Sequence, residues 1–241
     1  MTLAVVGELA TVTLTRPQKR NAQDPALWAE LEQVGQRLPG DVRVVMVRGE
    51  GRSFSAGLDR AQMGLLAELG KSAGAEKSIE GFQRGFTWLG RPDLVSIAAV
   101  QGHAIGAGFQ LALACDLRVA VEGTVFAMAE TSLGIVPDLT GTHPLVSAVG
   151  LPRALEWCLT GRHVDAAEAY AAGLLNLVVP AEELDQAVER LALAVLAAPR
   201  DAVIETTALL QGVGSRTAPE QWKAEREAQV RRLRALADLG D

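Results

Sequence analysis

Val95-Ser96-Ile97-Ala98-Ala99-Val100, followed after Gln101 by Gly102-His103-Ala104-Ile105-Gly106-Ala107-Gly108, is the stretch from which the fold is read. The first six residues are almost wholly apolar and bounded by Arg91-Pro92 and Gly102, which predicts a short strand buried on both faces. Three glycines in the next seven residues make a turn, and residues 109–115 carry apolar side chains at helical spacing. A helix is therefore predicted to start near Gly106, with backbone N–H groups bare in its first turn. Such a helix end at the tip of a buried strand can hydrogen-bond a developing oxyanion, and small residues let a ligand approach the backbone closely. The same glycines can also serve only to close a tight strand-to-helix turn, and taken alone the stretch fits that plainer reading at least as well.

A second stretch has the same build. Residues 42–47 form another valine-rich apolar strand, and after Gly49-Glu50-Gly51 comes Ser53-Phe54-Ser55-Ala56-Gly57-Leu58-Asp59. Together with Arg16-Pro17 and Asn21-Ala22, with Cys115-Asp116-Leu117-Arg118, and with Glu130 through Gly134 to Pro137, these pieces stand in the order and spacing of the crotonase superfamily, which the chain resembles over nearly its whole length. That superfamily comprises the enoyl-CoA hydratases and isomerases. The resemblance implies an α/β fold, a crotonase-like ββα spiral core with a helical C-terminal part. It divides the chain into a core over 1–190 and, over 191–241, C-terminal helices for oligomerisation and active-site cover.

Composition is compatible with this. A chain of 241 residues with 49% apolar content can bury one sizeable core plus a small helical appendage. The net charge of −6 argues against a sequence-independent grip on nucleic acid, which needs a basic face, but not against a single anionic ligand. The start, Met1-Thr2-Leu3-Ala4-Val5-Val6-Gly7-Glu8, has no basic leader, and no stretch reaches membrane-spanning length without charge, so a cytoplasmic protein without a membrane partner is expected. Cys115 and Cys158 sit in apolar helical contexts and read as small core residues.

Taken in order, residues 3–6 and 9–14 predict a hairpin closed near Gly7. Arg16-Pro17-Gln18-Lys19-Arg20 reads as a solvated loop; the resemblance also brings it near the CoA phosphates, making Arg16, Lys19 and Arg20 candidate contacts. Asp24-Pro25 opens a helix whose buried stripe is Leu27, Trp28, Leu31, Val34 and Leu38. Residues 63–81 are Gly-, Ser- and Lys-rich and predict a loop or weakly held helices. Gly70-Lys71-Ser72-Ala73-Gly74 matches the nucleophile elbow of serine hydrolases literally, but no strand precedes it, and the phosphate-loop reading of Gly70-Lys71-Ser72 lacks its upstream glycine. His103, His143 and His163 are too scattered for a metal site, and none is expected. Short strands are predicted at 117–121, 125–128 and 177–180. From Thr142 onward the chain reads mainly as helices, at 151–159, 165–171, 184–196, 201–210 and 219–239. The charges of the last, Glu225, Arg226, Glu227, Arg231, Arg232 and Arg234, read as a solvated, salt-bridged face.

The resemblance supplies the chemistry. Removing a proton beside a thioester carbonyl, or adding water across its conjugated double bond, puts negative charge on the carbonyl oxygen, and the family holds that charge with two backbone donors that map onto the N–H groups of Leu58 and Ala107. Substrate and CoA contacts map onto Arg20, Ala22, Ser55, Ala56, Gly57, Asp59, Arg60, Gly106, Gly108 and Gln110. Coenzyme A is part of the substrate and no separate cofactor is expected; the expected assembly is a homotrimer or a dimer of trimers. A two-glutamate hydratase pattern is broken, because Gln110 stands where the first glutamate belongs and Glu130 where the second does. Glutamine can hold water but cannot exchange a proton at neutral pH. Asp138, after Pro137, matches the place where several family isomerases carry an aspartate that shuttles a proton between the α and γ carbons. Its mostly apolar neighbours predict a raised pKa, whereas Thr131 and Ser132 could keep Glu130 ionised. Against these stand bland roles, Glu130 as a cap or salt-bridge partner and Asp138 as a turn residue. The reading is an acyl-CoA enzyme, isomerase-type rather than two-glutamate hydratase. The alternatives are a non-catalytic acyl-CoA binding protein on the same fold and a serine hydrolase using Ser72.

Overall fold

The computed structural model describes residues 1–238. The predicted hairpin is present: β1 (Thr2–Val6) pairs antiparallel with β2 (Leu9–Leu14), and Gly7 turns between them at φ +57°. The first α-helix is α1 (Pro25–Arg37), where the Asp24 carboxylate accepts the Leu27 N–H and Pro25 needs no donor partner. β3 (Val44–Gly49) and β4 (Val95–Val100) follow, parallel to β2 and to each other. Between them, the glycine-rich segment is helical on both sides of an exposed turn, as α2 (Met63–Leu69) and α3 (Ala75–Thr87). The central stretch adds a strand that its glycines concealed: β5 (His103–Ile105) precedes α4 (Ala107–Ala114). Next come β6 (Leu117–Val121) and β7 (Val125–Ala127), then α5 (Thr142–Val149) and α6 (Leu151–Thr160). After β8 (Val164–Asp165), α7 (Ala166–Ala171) is capped by Asp165 as expected, and β9 (Leu177–Val179) precedes α8 (Leu184–Ala197), α9 (Arg200–Gln211) and α10 (Ala218–Ala237). Leu239, the expected end of the last helix, lies outside the described residues.

Among the described residues the strands form a six-stranded sheet, ordered β1-β2-β3-β4-β6-β9, and a three-stranded sheet, ordered β5-β7-β8. The chain alternates between them from β4 to β5 and from β6 to β7, so these two long-sheet strands each hand on to a short-sheet strand, which is the winding of a ββα spiral. Period-two patterning gives the large sheet two apolar faces. Val45, Val47, Ala98 and Val100 face the main core with α1, α4 and Phe126, while Val44, Met46, Ile97 and Ala99 face a second cluster closed by Leu184, Ala187, Val188 and Ala192 of α8. The Cys-Asp-Leu-Arg motif has a structural use. The half-buried Arg118 guanidinium donates to the carbonyls of Cys115 (2.5 Å) and Leu174 (2.8 Å), so it occupies the open end of α4, while Asp116 accepts from the N–H and hydroxyl of Ser96. Burial pushes the Cys115 thiol up to about 12, which suits an inert core residue. Among the described residues no helix is long and apolar enough to cross a membrane.

Candidate active site

Two glycine turns meet at the ends of β3 and β4. Residue Ser55 lies beside β5, donating its N–H to His103 O (2.9 Å) and accepting from Ile105 N (3.0 Å). Gly57, at φ +82°, presses on the Ile105 carbonyl, and a Cβ there would also lie 3.4 Å from Ala107 N, so only glycine lets the two turns come this close. Gly108 does the same on the other side, where a Cβ would stand 2.7 Å from Ser55 Cβ. Gly106, with φ +51°, donates its N–H to Ala127 O (2.8 Å) and starts α4 at Ala107. Among the described residues, the N–H groups of Leu58 and Ala107 have no hydrogen-bond acceptor, and both residues line the same cavity of about 730 Å³. The Ala107 donor also sits at the positive end of the buried helix α4.

Sequence reasoning missed the residue that joins these turns. Gln23 is fully buried; its N–H donates to Gly57 O and its C=O accepts from Asp59 N, both at 2.7 Å, which fixes Leu58 between them. Its side-chain amide donates to Ser55 Oγ (3.1 Å) and to Ala107 O (3.3 Å), and its oxygen accepts from Trp28 Nε1 (2.8 Å). A single side chain thus touches both segments that carry the unused donors. Its one signal in the sequence was its place directly after Asn21-Ala22.

The carboxylates come from the other wall. Gln110, one turn into α4, donates from Nε2 to Glu130 Oε1 at 2.7 Å, while its Oε1 accepts from the N–H of Leu139 (2.8 Å) and of Gly141 (3.3 Å). These two N–H groups flank Thr140, a β-branched residue held at φ +69°. The amide therefore ties Glu130 to the 138–141 loop, and Asp138 is held on the same cavity wall, its carbonyl accepting from Gln83 Nε2 (2.8 Å). Glu130 is buried, and among the described residues its Oε2 has no partner. Burial raises its pKa, with the Asp138 charge adding to the rise and the Gln110 hydrogen bond opposing it. Burial likewise raises that of Asp138. The sequence expectation that hydroxyls could keep Glu130 ionised is corrected here: the Ser132 hydroxyl donates to Ala129 O instead, and among the described residues the side-chain hydrogen bond to the carboxylate comes from Gln110.

The cavity thus gathers Ala56, Gly57, Leu58, Arg60, Gly106, Ala107, Gln110, Glu130 and Asp138 of the expected residues. The remaining ones stand off it. Ser55 and Gly108 pack behind the turns, with Ser55 Oγ donating to Asn21 O (2.8 Å). The Ala22 carbonyl accepts from Arg16 Nη1 (2.9 Å). Asp59 accepts from Arg16 (2.8 Å) and Lys19 (3.0 Å), and these two cations hold its pKa down at about 2. Arg16 and Lys19 are therefore engaged with a carboxylate rather than presented to a ligand phosphate, whereas Arg20 lines a separate recess with Arg52 and His103. Ser72 lies in the exposed turn between α2 and α3, its hydroxyl accepting from Gly74 N (3.1 Å), far in kind from a strand-to-helix elbow.

A spiral of ββα turns with two bare N–H groups, a buried carboxylate (Glu130) and a half-buried one (Asp138) on one cavity defines a class, and sequence comparison names it. The sequence model of the enoyl-CoA hydratase/isomerase family matches residues 6–235, and the chain belongs to that family. A Thermobifida fusca YX protein described as an enoyl-CoA hydratase, solved in complex with CoA and also with acetoacetyl-CoA, is 46% identical. In the CoA complex it superposes with a TM-score of 0.93 over 98% of this chain and 94% of its own. A Mycobacterium bovis protein described as an enoyl-CoA hydratase is 34% identical over 72% of this chain. A 4-chlorobenzoyl coenzyme A dehalogenase of an Arthrobacter species is 35% identical over 79% of this chain and 70% of its own. The match spans 66% of the M. bovis relative, just under two thirds of its length.

Proposed function

We propose that the protein acts on acyl-CoA thioesters, holding the enolate oxygen on the N–H groups of Leu58 and Ala107 and moving a proton with a cavity carboxylate, in the manner of a double-bond isomerase. The observation that carries this reading is the pair of unused backbone donors on turns locked together by Gly57, Gly108 and Gln23. Donors fixed before reaction, in a site partly shielded from water, stabilise charge that develops only in the transition state. A carboxylate with a raised pKa can take a proton from the α carbon and return it at the γ carbon. Asp138 is proposed for that shuttle, with Glu130 beside it. Gln110 supports isomerisation over two-glutamate hydration, because its amide cannot exchange protons and is already engaged on both ends.

Coenzyme A enters as part of the substrate, and the proposed assembly is a trimer or a dimer of trimers whose contacts come from the helices after residue 190. The same engaged Gln110 favours a second reading, a binding protein that holds acyl-CoA without turning it over. Incubating 2-enoyl-CoA and 3-enoyl-CoA in deuterated water distinguishes them. Isomerisation gives the conjugated product with deuterium at the positions the shuttle visits, hydration gives a 3-hydroxyacyl product, and binding alone gives neither.

A further inference from the structure

The segment that carries Asp138 is weakly attached on its upstream side. Residues 131–136 are exposed, and among the described residues Val136, Pro137 and Asp138 make no backbone–backbone hydrogen bond. Downstream the chain is fixed. Leu139 is buried in the main core, its N–H donates to Gln110 Oε1 (2.8 Å), and Gly141 lies so close to Gln110 that a Cβ there would stand 2.7 Å from Cγ of the glutamine. The carbonyl of Asp138 accepts from Gln83 Nε2 (2.8 Å). The peptide group between Asp138 and Leu139 is thus gripped at both ends, its C=O by a glutamine of α3 and its N–H by a glutamine of α4. Because the atoms of a peptide group are coplanar, fixing that plane also fixes the Cα of Asp138. Gln83 in turn stands next to the part of α3 that packs on α1: Gly85 and Phe86 are buried, and a Cβ on Gly85 would collide with the Trp28 carbonyl. Trp28 Nε1 donates to Gln23 (2.8 Å), whose amide touches Ser55 and Ala107 on the two donor turns. An unbroken set of contacts therefore runs from the donor turns through Gln23, Trp28 and α3 to Asp138.

We propose, resting on the isomerase reading above, that Gln83 is a positioning residue: through the 138–139 peptide group it sets where the Asp138 carboxylate stands relative to the Leu58 and Ala107 donors. An amide suits this task, since it donates to a carbonyl without bringing a charge beside the two acids of the cavity. The grip also offsets strain. Thr140 is β-branched and held at φ +69°, a conformation that persists only where its surroundings impose it. Without the Gln83 bond the loop is free to leave that conformation, and Asp138 moves with it. Displacing a reacting group by about 1 Å costs about 10²-fold in rate.

The test is turnover of a 3-enoyl-CoA by the full-length protein and its Gln83→Leu variant, alongside calorimetric binding of butanoyl-CoA, which has no double bond to move. Leucine keeps the bulk and the helix but has no donor. Gln83→Leu should lower kcat about 10- to 100-fold while KM and the Kd of butanoyl-CoA change by less than about threefold. Gln83→Glu, equal in shape and without an N–H donor, should lose at least as much kcat, so the outcome does not rest on the leucine variant folding. Adding Thr140→Gly to Gln83→Leu removes the penalty of the positive φ and should restore kcat about fivefold or more, a rescue that general damage to the fold would not give. A kcat within about twofold of the unmodified protein, a loss of kcat matched by an equal loss of butanoyl-CoA affinity, or no rescue by Thr140→Gly overturns the role of Gln83 and leaves the acyl-CoA reading in place. An unmodified protein that binds butanoyl-CoA but does not convert the 3-enoyl-CoA overturns both this role and the isomerase reading.

Discussion

Gln110 shows how one side chain decides what the site can do. As glutamine it donates to Glu130 Oε1 and accepts from Leu139 and Gly141, and the full set of bonds needs both its donor and its acceptor end. Hydration of a short 2-enoyl-CoA should therefore be about 10²- to 10⁴-fold slower than in a two-glutamate hydratase. Gln110→Glu should raise it, measured as loss of enoyl absorbance. The new carboxyl would keep its bonds to Leu139 and Gly141 but face Glu130 where 2.7 Å now separates the groups, so the pair should share one proton and titrate in two apparent steps. Fast hydration by the unmodified protein would end the argument. The two natural acids separate by substitution. Asp138→Asn should abolish conversion of 3-enoyl- to 2-enoyl-CoA while acyl-CoA binding persists, because the proposed oxyanion donors are backbone groups; Glu130→Gln should leave more of it. The reverse order of loss moves the shuttle to Glu130. Stability gives an independent check on Glu130. Its folded pKa is raised by burial, so between the unfolded and folded values the native state binds more protons, and stability falls as pH rises through that window. Glu130→Gln should consequently raise Tm at neutral pH, with the gain shrinking as pH falls toward the ordinary glutamate range.

Helices and strands explain why the donors stand where they do. α4 begins where β5 ends, Gly106 turning the chain between them, and the 55–58 segment is stitched to β5 on one side and to Gln23 on the other. Replacing Gln23 by leucine keeps the bulk but strands Trp28 Nε1 and releases Ala107 O, at a cost of about 1–3 kcal/mol. Gln23→Leu should lower kcat more than it raises KM, since the turns would still exist but no longer be held in register; an unchanged kcat would reduce Gln23 to a core residue. Much at this scale was legible in the sequence. The Asp24-Pro25 and Asp165 caps, the Gly7 hairpin and the apolar run of β4 each come from local chemistry, and the structure has them. β5 was not legible because it lies between Gly102 and Gly106 inside what reads as one turn, and β8 because two residues carry too little pattern. Nor was Gln23, whose partners are 32 and 84 residues away in sequence. Of the site itself, the turns and both acids could be found from glycines and from resemblance. Their mutual geometry could not, since it rests on close approaches between segments that the sequence only lists side by side.

On the scale of the molecule, the C-terminal helices are joined to each other more by charge than by a core. Arg231 forms a two-pronged pair with Glu205 at 2.7 Å and Arg232 pairs with Asp201 at 2.9 Å, so part of the salt-bridged face expected of these charges links α10 to α9. In α10 only Ala228 is buried, whereas Trp222 is 58%, Leu233 54% and Leu236 64% exposed. A helical stripe in the sequence reveals that a partner surface is required but not whether the same chain supplies it. Exposed apolar side chains in such a group mark an association surface, with aromatic residues contributing most when they lie at its centre. On the assembly proposed above, the protein should sediment at micromolar concentration as a trimer or a dimer of trimers. Trp222→Glu with Leu233→Glu should shift it toward monomer, each central contact being worth about 2 kcal/mol, and should do so without unfolding it, because neither side chain is part of the core of the chain. A monomer in the unmodified protein would mean that these faces stay in water, and the helices after residue 190 would then lose the role in assembly proposed for them.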